Sequence, residues 1–99
     1  MYFLALFRQG PAWLPGVPLE QQPYTAEHAQ HLQRLYSEGK VFMGGPCDGG
    51  GNLLSVVVLR ATSAAEARSL IADNAFVTQG VVTVDVLPWH AVFDPRPEN

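Results

Sequence analysis

The chain has 99 residues, of which 47% are apolar and 15% charged, with a formal net charge of -3. This is enough for one globular domain, 1–99, with a core over 1–94 and a tail over 95–99, and too apolar for a disordered chain. Six Lys and Arg scattered singly form no phosphate-binding stripe, and one cysteine, Cys47, allows no internal disulfide, so no nucleic-acid partner and a reducing, cytoplasmic home are expected.

The opening MYFLALF reads as a strand, Tyr2 to Phe7. It is too short for a signal peptide, and no stretch approaches the roughly 18 to 20 apolar residues of a membrane span. The connection QGPAWLPGVPLEQQPY, over 9–24, holds four prolines and is expected to be irregular. Thr25 is the expected N-cap of a first helix, closed by Gly39. A short strand over Lys40 to Gly44 follows. The GGPCDGGGN run then acts as a flexible hairpin connection to a strand at Leu53 to Arg60. It precedes a strand rather than a helix, which excludes a phosphate-cradling loop.

Ser63-Ala-Ala-Glu66 is a capping-box pattern, so a second helix begins at Ala64 and ends near Ala72 to Asn74. A further helical turn over Asn74 to Gln79 closes at Gly80, and a last strand runs from Val81 to Leu87, ahead of Pro88. Trp89-His90 is left without a role, and FDPRPEN reads as a loosely held terminus. The order β-α-β-β-α-β predicts a ferredoxin-like α+β sandwich, two helices on one face of a four-stranded antiparallel sheet. Strands one and three are apolar on both faces, so the uncovered face is expected to pack on a second copy, giving a homodimer or a higher oligomer.

Three histidines are candidates for chemistry, His28, His31 and His90. At about 100° per residue, Leu32, Leu35 and Tyr36 lie at about 40°, 340° and 80° from His28, which places His28 in the apolar stripe of the first helix. His31 falls at about 300°, toward Arg34 and the polar face, and is expected to be a bystander. A histidine aimed at the core near a helix N-terminus is held neutral by burial and by the helix dipole, and neutral imidazole is the form that acts as a base. Glu27, His28 and His31 resemble half of a metal site, but no second ligand cluster completes it, so neither metal nor cofactor is expected. Asp73 is the second candidate: at the C-terminal end of the second helix its carboxylate meets the negative end of the dipole, which calls for a compensating role. It can N-cap the following turn, pair with a histidine, or do both through its two oxygens.

The segments EHAQHLQRLYSEGKVFMGGP and SAAEARSLIADNAFVTQGVV resemble the YciI-like (YCII-related) proteins. Their pattern is a His opening helix one, a Gly-Pro after strand two, and an Asp-Pro-Phe/Tyr-Val-x-x-Gly run after helix two. The resemblance spans nearly the whole chain. It implies a dimeric α+β barrel, a pocket between helices and sheet, and a His-Asp catalytic pair carried here by His28 and Asp73. The chain departs from the pattern at Asn74, set against the family's Pro, and at Ala75; a family hydroxyl falls near Leu54 or Ser55.

The expected function is then a cofactor-independent lyase or isomerase, of dehydrochlorinase or muconolactone isomerase type, acting on a small metabolite. His28 is the expected general base, with Asp73 setting its tautomer. Tyr36, Phe42 and Phe76 are candidate pocket walls and Arg8 a candidate polar contact to substrate. The alternatives are a noncatalytic small-ligand-binding domain and a purely structural dimerisation domain.

Overall fold

The computed structural model describes residues 1–49 and 51–94. The expected loose terminus, 95–99, and Gly50 of the hairpin connection lie outside the described residues. Four strands, β1 (Tyr2–Gln9), β2 (Val41–Pro46), β3 (Leu53–Arg60) and β4 (Val82–Trp89), form one antiparallel sheet in the order β2-β3-β1-β4. Helices α1 (Thr25–Ser37) and α2 (Ala64–Ala72) and the single turn α3 (Ala75–Thr78) complete the α+β fold. No described helix is long and apolar enough to cross a membrane.

Alternation divides the sheet into two faces. Phe3, Ala5 and Phe7 of β1 are buried, with Val57 and Leu59 of β3 and Val82 and Val86 of β4, and they meet Leu35, Ala67, Ile71 and Phe76 from the helices. The alternate residues, Leu4 and Leu6 of β1, Val56 and Val58 of β3, and Leu87 of β4, are paired with one another in register and form the opposite face. A bulge between Phe7 and Arg8 in the β1–β3 pairing interrupts this alternation at Leu54, which packs against the core. β4 runs past Pro88 rather than ending before it; as an edge strand it tolerates the missing N–H.

The connection over 9–24 is more ordered than its prolines predict. Gln22 is buried, and its side chain accepts from Leu14 N–H at 2.9 Å while donating to the carbonyls of Leu14 and Val17 at 2.9 and 2.7 Å. This satisfied amide folds the segment around a 3-10 turn at Leu19–Gln21. Where the chain enters the loop, Gly10 passes so close to the Gly80 carbonyl that no Cβ fits.

Helix ends differ from expectation in one place and agree in another. Thr25 is the first helical residue, and the N-cap is Tyr24, in the left-handed region at φ 68° with no side-chain cap. The Thr25 hydroxyl lies 3.0 and 2.7 Å from the carbonyls of Leu19 and Gln22 and pins the loop to α1. α2 begins at its Ser63 cap, whose Oγ accepts from Glu66 N–H at 3.1 Å, while the Glu66 carboxylate reaches one residue past the cap and accepts from Thr62 N–H at 2.7 Å. The α1 C-terminus closes on Gly39 at φ 77°.

Candidate functional site

The helices divide the sheet between them, α1 packing on β2 while α2 packs on β4 and β1. Between α1 and the β2–β3 half lies a cavity of about 610 Å³. One face of α1 lines it, with Thr25, His28, Ala29, Leu32, Gln33 and Tyr36 at the i, i+3, i+4 spacing of a helix stripe. Val41 to Pro46 of β2 and Leu54, Ser55 and Val57 of β3 line the sheet side, and Phe7, Leu19, Phe76 and Val82 complete the wall. Among the described lining residues none is charged at neutral pH. Such a chamber favours a neutral or weakly polar small molecule, because a charged ligand would lose its hydration without gaining an ion partner.

His28 lies in the wall between two aromatic rings. Its centroid is 5.1 Å from Phe7, edge-on at 74°, and 4.7 Å from Phe76, tilted at 37°. Its Nδ1 is sealed from solvent and has no hydrogen-bond partner. Burial lowers the imidazole from its usual 6.5 to about 4; the neighbouring Asn74 side chain works against that shift and the charge of His31 adds to it. His28 is therefore neutral at physiological pH, a state in which it accepts a hydrogen bond or a proton.

The other predicted residues separate into two groups. Tyr36, Phe42 and Phe76 line the cavity. Arg8 and Asp73 do not. Arg8 is on the opposite sheet face, where its guanidinium donates to Asp85 at 2.6 Å, because even-numbered β1 residues point away from the helices. Asp73 is the C-cap of α2, and its side chain is exposed.

The polar side chain beside His28 is Asn74, and the N-cap expected of Asp73 is made by Asn74 instead: its Oδ1 accepts from Phe76 N–H at 3.0 Å, opening α3. A signal for this was present in the sequence. Proline suits the first helical position, so in an Asp-Pro-Phe-Val-x-x-Gly run the Asp is the N-cap. Counting back from Gly80 through Val77 and Phe76 sets Ala75 against the proline and Asn74 against the aspartate.

His31 also departs from expectation. It is 7% exposed rather than solvent-facing. Its Nε2–H donates to the Leu70 carbonyl at 2.6 Å, which leaves Nδ1 to accept from the Arg34 guanidinium at 3.1 Å. His31 thus ties α1 to α2 and takes no part in the cavity. His90 is exposed just beyond β4, and Cys47 is a free thiol past the end of β2. No group of three or more His, Cys, Asp or Glu that could hold a metal occurs among the described residues.

No match was found among curated proteins. Among solved structures, the chain resembles 5-chloro-2-hydroxyhydroquinone dehydrochlorinase (TftG) from Burkholderia phenoliruptrix AC1100, in complex with 2,5-dihydroxybenzoquinone. The likeness has a TM-score of 0.62 and 26% sequence identity, and it covers 91% of this chain and 94% of that one. The model of the YCII-related domain matches residues 1–90, nearly the whole sequence, and the chain belongs to that family.

Proposed function

We propose that this protein is a cofactor-independent enzyme of lyase or isomerase type acting on a small, uncharged ring compound, with His28 as the proton acceptor. The observation that carries the reading is a neutral imidazole set in the wall of a chamber with aromatic sides and no charged lining. The structural neighbour's dehydrochlorinase activity and its dihydroxybenzoquinone complex support the same class of ligand. Tyr36 and Phe76 are the proposed ring contacts, while Phe42 lines the cavity and stacks its ring on Tyr2. In an elimination of this kind His28 takes the proton from a C–H or O–H bond, the released electron pair enters the ring, and chloride or another anion leaves; in an isomerisation the proton returns at a different carbon. A base near 4 suits an acidic proton, such as one activated by a neighbouring carbonyl.

Asp73 keeps a proposed role only as a neighbour of this site, since its side chain is exposed. Asn74 takes its place beside the ring. We also propose that the open sheet face joins two copies of the chain, and that the protein works in the cytoplasm, where a lone free Cys47 is stable.

The test is turnover of chlorinated and hydroxylated quinols and enolisable ring ketones by the wild type and by His28→Gln. The expected result is conversion by the wild type and a loss of 10²-fold or more in the variant, the usual scale for removing a general base. Saturable binding with no His28-dependent conversion overturns the reading. It would favour a noncatalytic binding domain, the second reading, which is itself favoured by how far the imidazole lies below neutral pH.

A further inference from the structure

The cavity is larger than one ring needs. An apolar space of about 150 Å³ is enough to hold benzene. Here the volume is about 610 Å³. Its extent across the sheet follows from the register. The His28 ring stands 5.1 Å from that of Phe7 on β1, Phe7 is paired with Ser55 of β3, and Ser55 with Pro46 of β2. All four residues line the cavity, which therefore runs from β1 to the edge strand β2. That is two strand spacings, about 9.5 Å.

At the far end the floor lacks a side chain. Gly44 is paired with Val57, and paired residues point to the same face of a sheet. Val57 is buried on the helix side and lines the cavity, so the position left bare at Gly44 is on the cavity side. Backbone conformation does not call for glycine here, because Gly44 has no positive φ. A glycine inside a strand weakens it, and one common reason for its presence is the close approach of a ligand. A Cβ at Gly44 would stand 3.1 Å from Val57 Cγ2 and from the Val56 carbonyl oxygen. Since β2 has a free edge along which to shift by a few tenths of an ångström, this crowding alone does not exclude alanine. Gly45, the next residue, is paired with Val56 on the open face, and a Cβ there meets nothing within 4 Å.

We propose that Gly44 is a specificity-determining residue of the cavity, and that the ligand is a ring bearing a second uncharged apolar group, a further ring or an alkyl arm, which lies over Gly44. This deepens the function proposed above and rests on it for placing the first ring at His28. The length of the cavity and the bare floor at its β2 end are independent of any reaction. Val41, Pro46, Leu54 and Val57 surround that end. They offer no cation to a carboxylate or phosphate, so the second group is apolar and is held by burial alone.

The test is calorimetric titration of the full chain with phenol and with 4-phenylphenol, for the wild type, Gly44→Ala and Gly45→Ala. Alanine restricts the unfolded chain more than glycine does, which favours folding of both variants, and melting curves check this. The wild type is expected to bind 4-phenylphenol about tenfold or more tightly than phenol, as burial of a second ring predicts. Gly44→Ala is expected to lose about tenfold for 4-phenylphenol through overpacking, with phenol nearly unaffected. Gly45→Ala makes the same exchange on the other face and is expected to change neither. A second measurement needs no variant: the Gly44 amide resonance of the wild type is expected to move with 4-phenylphenol and to stay in place with phenol. A wild type that binds 4-phenylphenol no more tightly than phenol, a Gly44 amide that 4-phenylphenol leaves unmoved, or a folded Gly44→Ala that keeps both affinities overturns the proposal. A Gly44-dependent preference in a protein that converts nothing overturns the enzymatic reading alone, and His28-dependent turnover without that preference overturns this one alone.

Discussion

His28 makes the fold sensitive to acid. Its value in the folded protein, about 4, lies below the 6.5 of an unfolded chain, so between those values the unfolded state binds the extra proton. Stability is then fully present above about pH 6.5 and lost as pH falls toward 4. At 1.36 kcal/mol per unit the loss over that window is about 3 kcal/mol, a large share of the stability of so small a domain. His28→Phe keeps the packing against Phe7 and Phe76 and has no proton to take up. Urea titrations at pH 7 and pH 4.5 are expected to show the wild type weakened strongly at the lower pH and the variant much less so. Equal acid sensitivity of the two proteins would place the titrating group elsewhere.

At the scale of elements, α2 ends without a glycine cap, and other groups satisfy its last carbonyls. The Leu70 carbonyl receives Nε2–H of His31, Ile71 receives the Asn74 amide at 3.1 Å, and Ala72 receives the Asn74 backbone N–H at 3.0 Å. One of these three partners comes from α1, so His31 joins the two helices. His31→Leu fills the same volume but leaves the Leu70 carbonyl without its partner. A loss of about 1–3 kcal/mol is expected from denaturant unfolding, with the His28 titration moved slightly upward because the His31 charge is gone. This arrangement explains what could be read in advance. The strands were legible because β1 and β3 are short continuous apolar runs bounded by polar and turn residues, and the bounds of β3 and the Ser63 cap of α2 follow from local pattern alone. The burial of His31 was not, because a helical wheel ranks one apolar stripe against one sheet, whereas α1 also packs on α3 and reaches the end of α2 at the Leu70 carbonyl. The α1 side of the cavity wall was legible from helical spacing, since His28, Leu32 and Tyr36 share a stripe. The cap of α3 lies one residue beyond the expected Asp73, and this was legible in the spacing: counting back from Gly80 sets Asn74, not Asp73, ahead of the first helical position.

The whole molecule keeps its cavity and its open face on opposite sides of one sheet. Leu4, Leu6 and Val56 are half-buried on that open face, while Leu87 and Trp89 are 46% and 40% exposed, and Tyr2 packs between Trp89 and Phe42 at 6.4 and 6.1 Å. The Arg8–Asp85 pair at one end of the face satisfies the charges of both residues. A face that is apolar along the middle of the sheet suits a second copy related by a two-fold axis, since each copy then offers the other the same surface. Leu4 is the position to test, because it sits between Val58 and Leu87 in register, with no acidic residue opposite. Leu4→Lys places an ammonium there that a dimer would bury and a monomer would leave in water. Light scattering is expected to give a dimer for the wild type and a monomer for the variant at the same concentration, with helical circular dichroism retained. The His28 titration should be the same in both, because the sheet separates the ring from the mutated face. A wild type that scatters as a monomer removes the dimer, and a variant that remains dimeric places the contact on another surface.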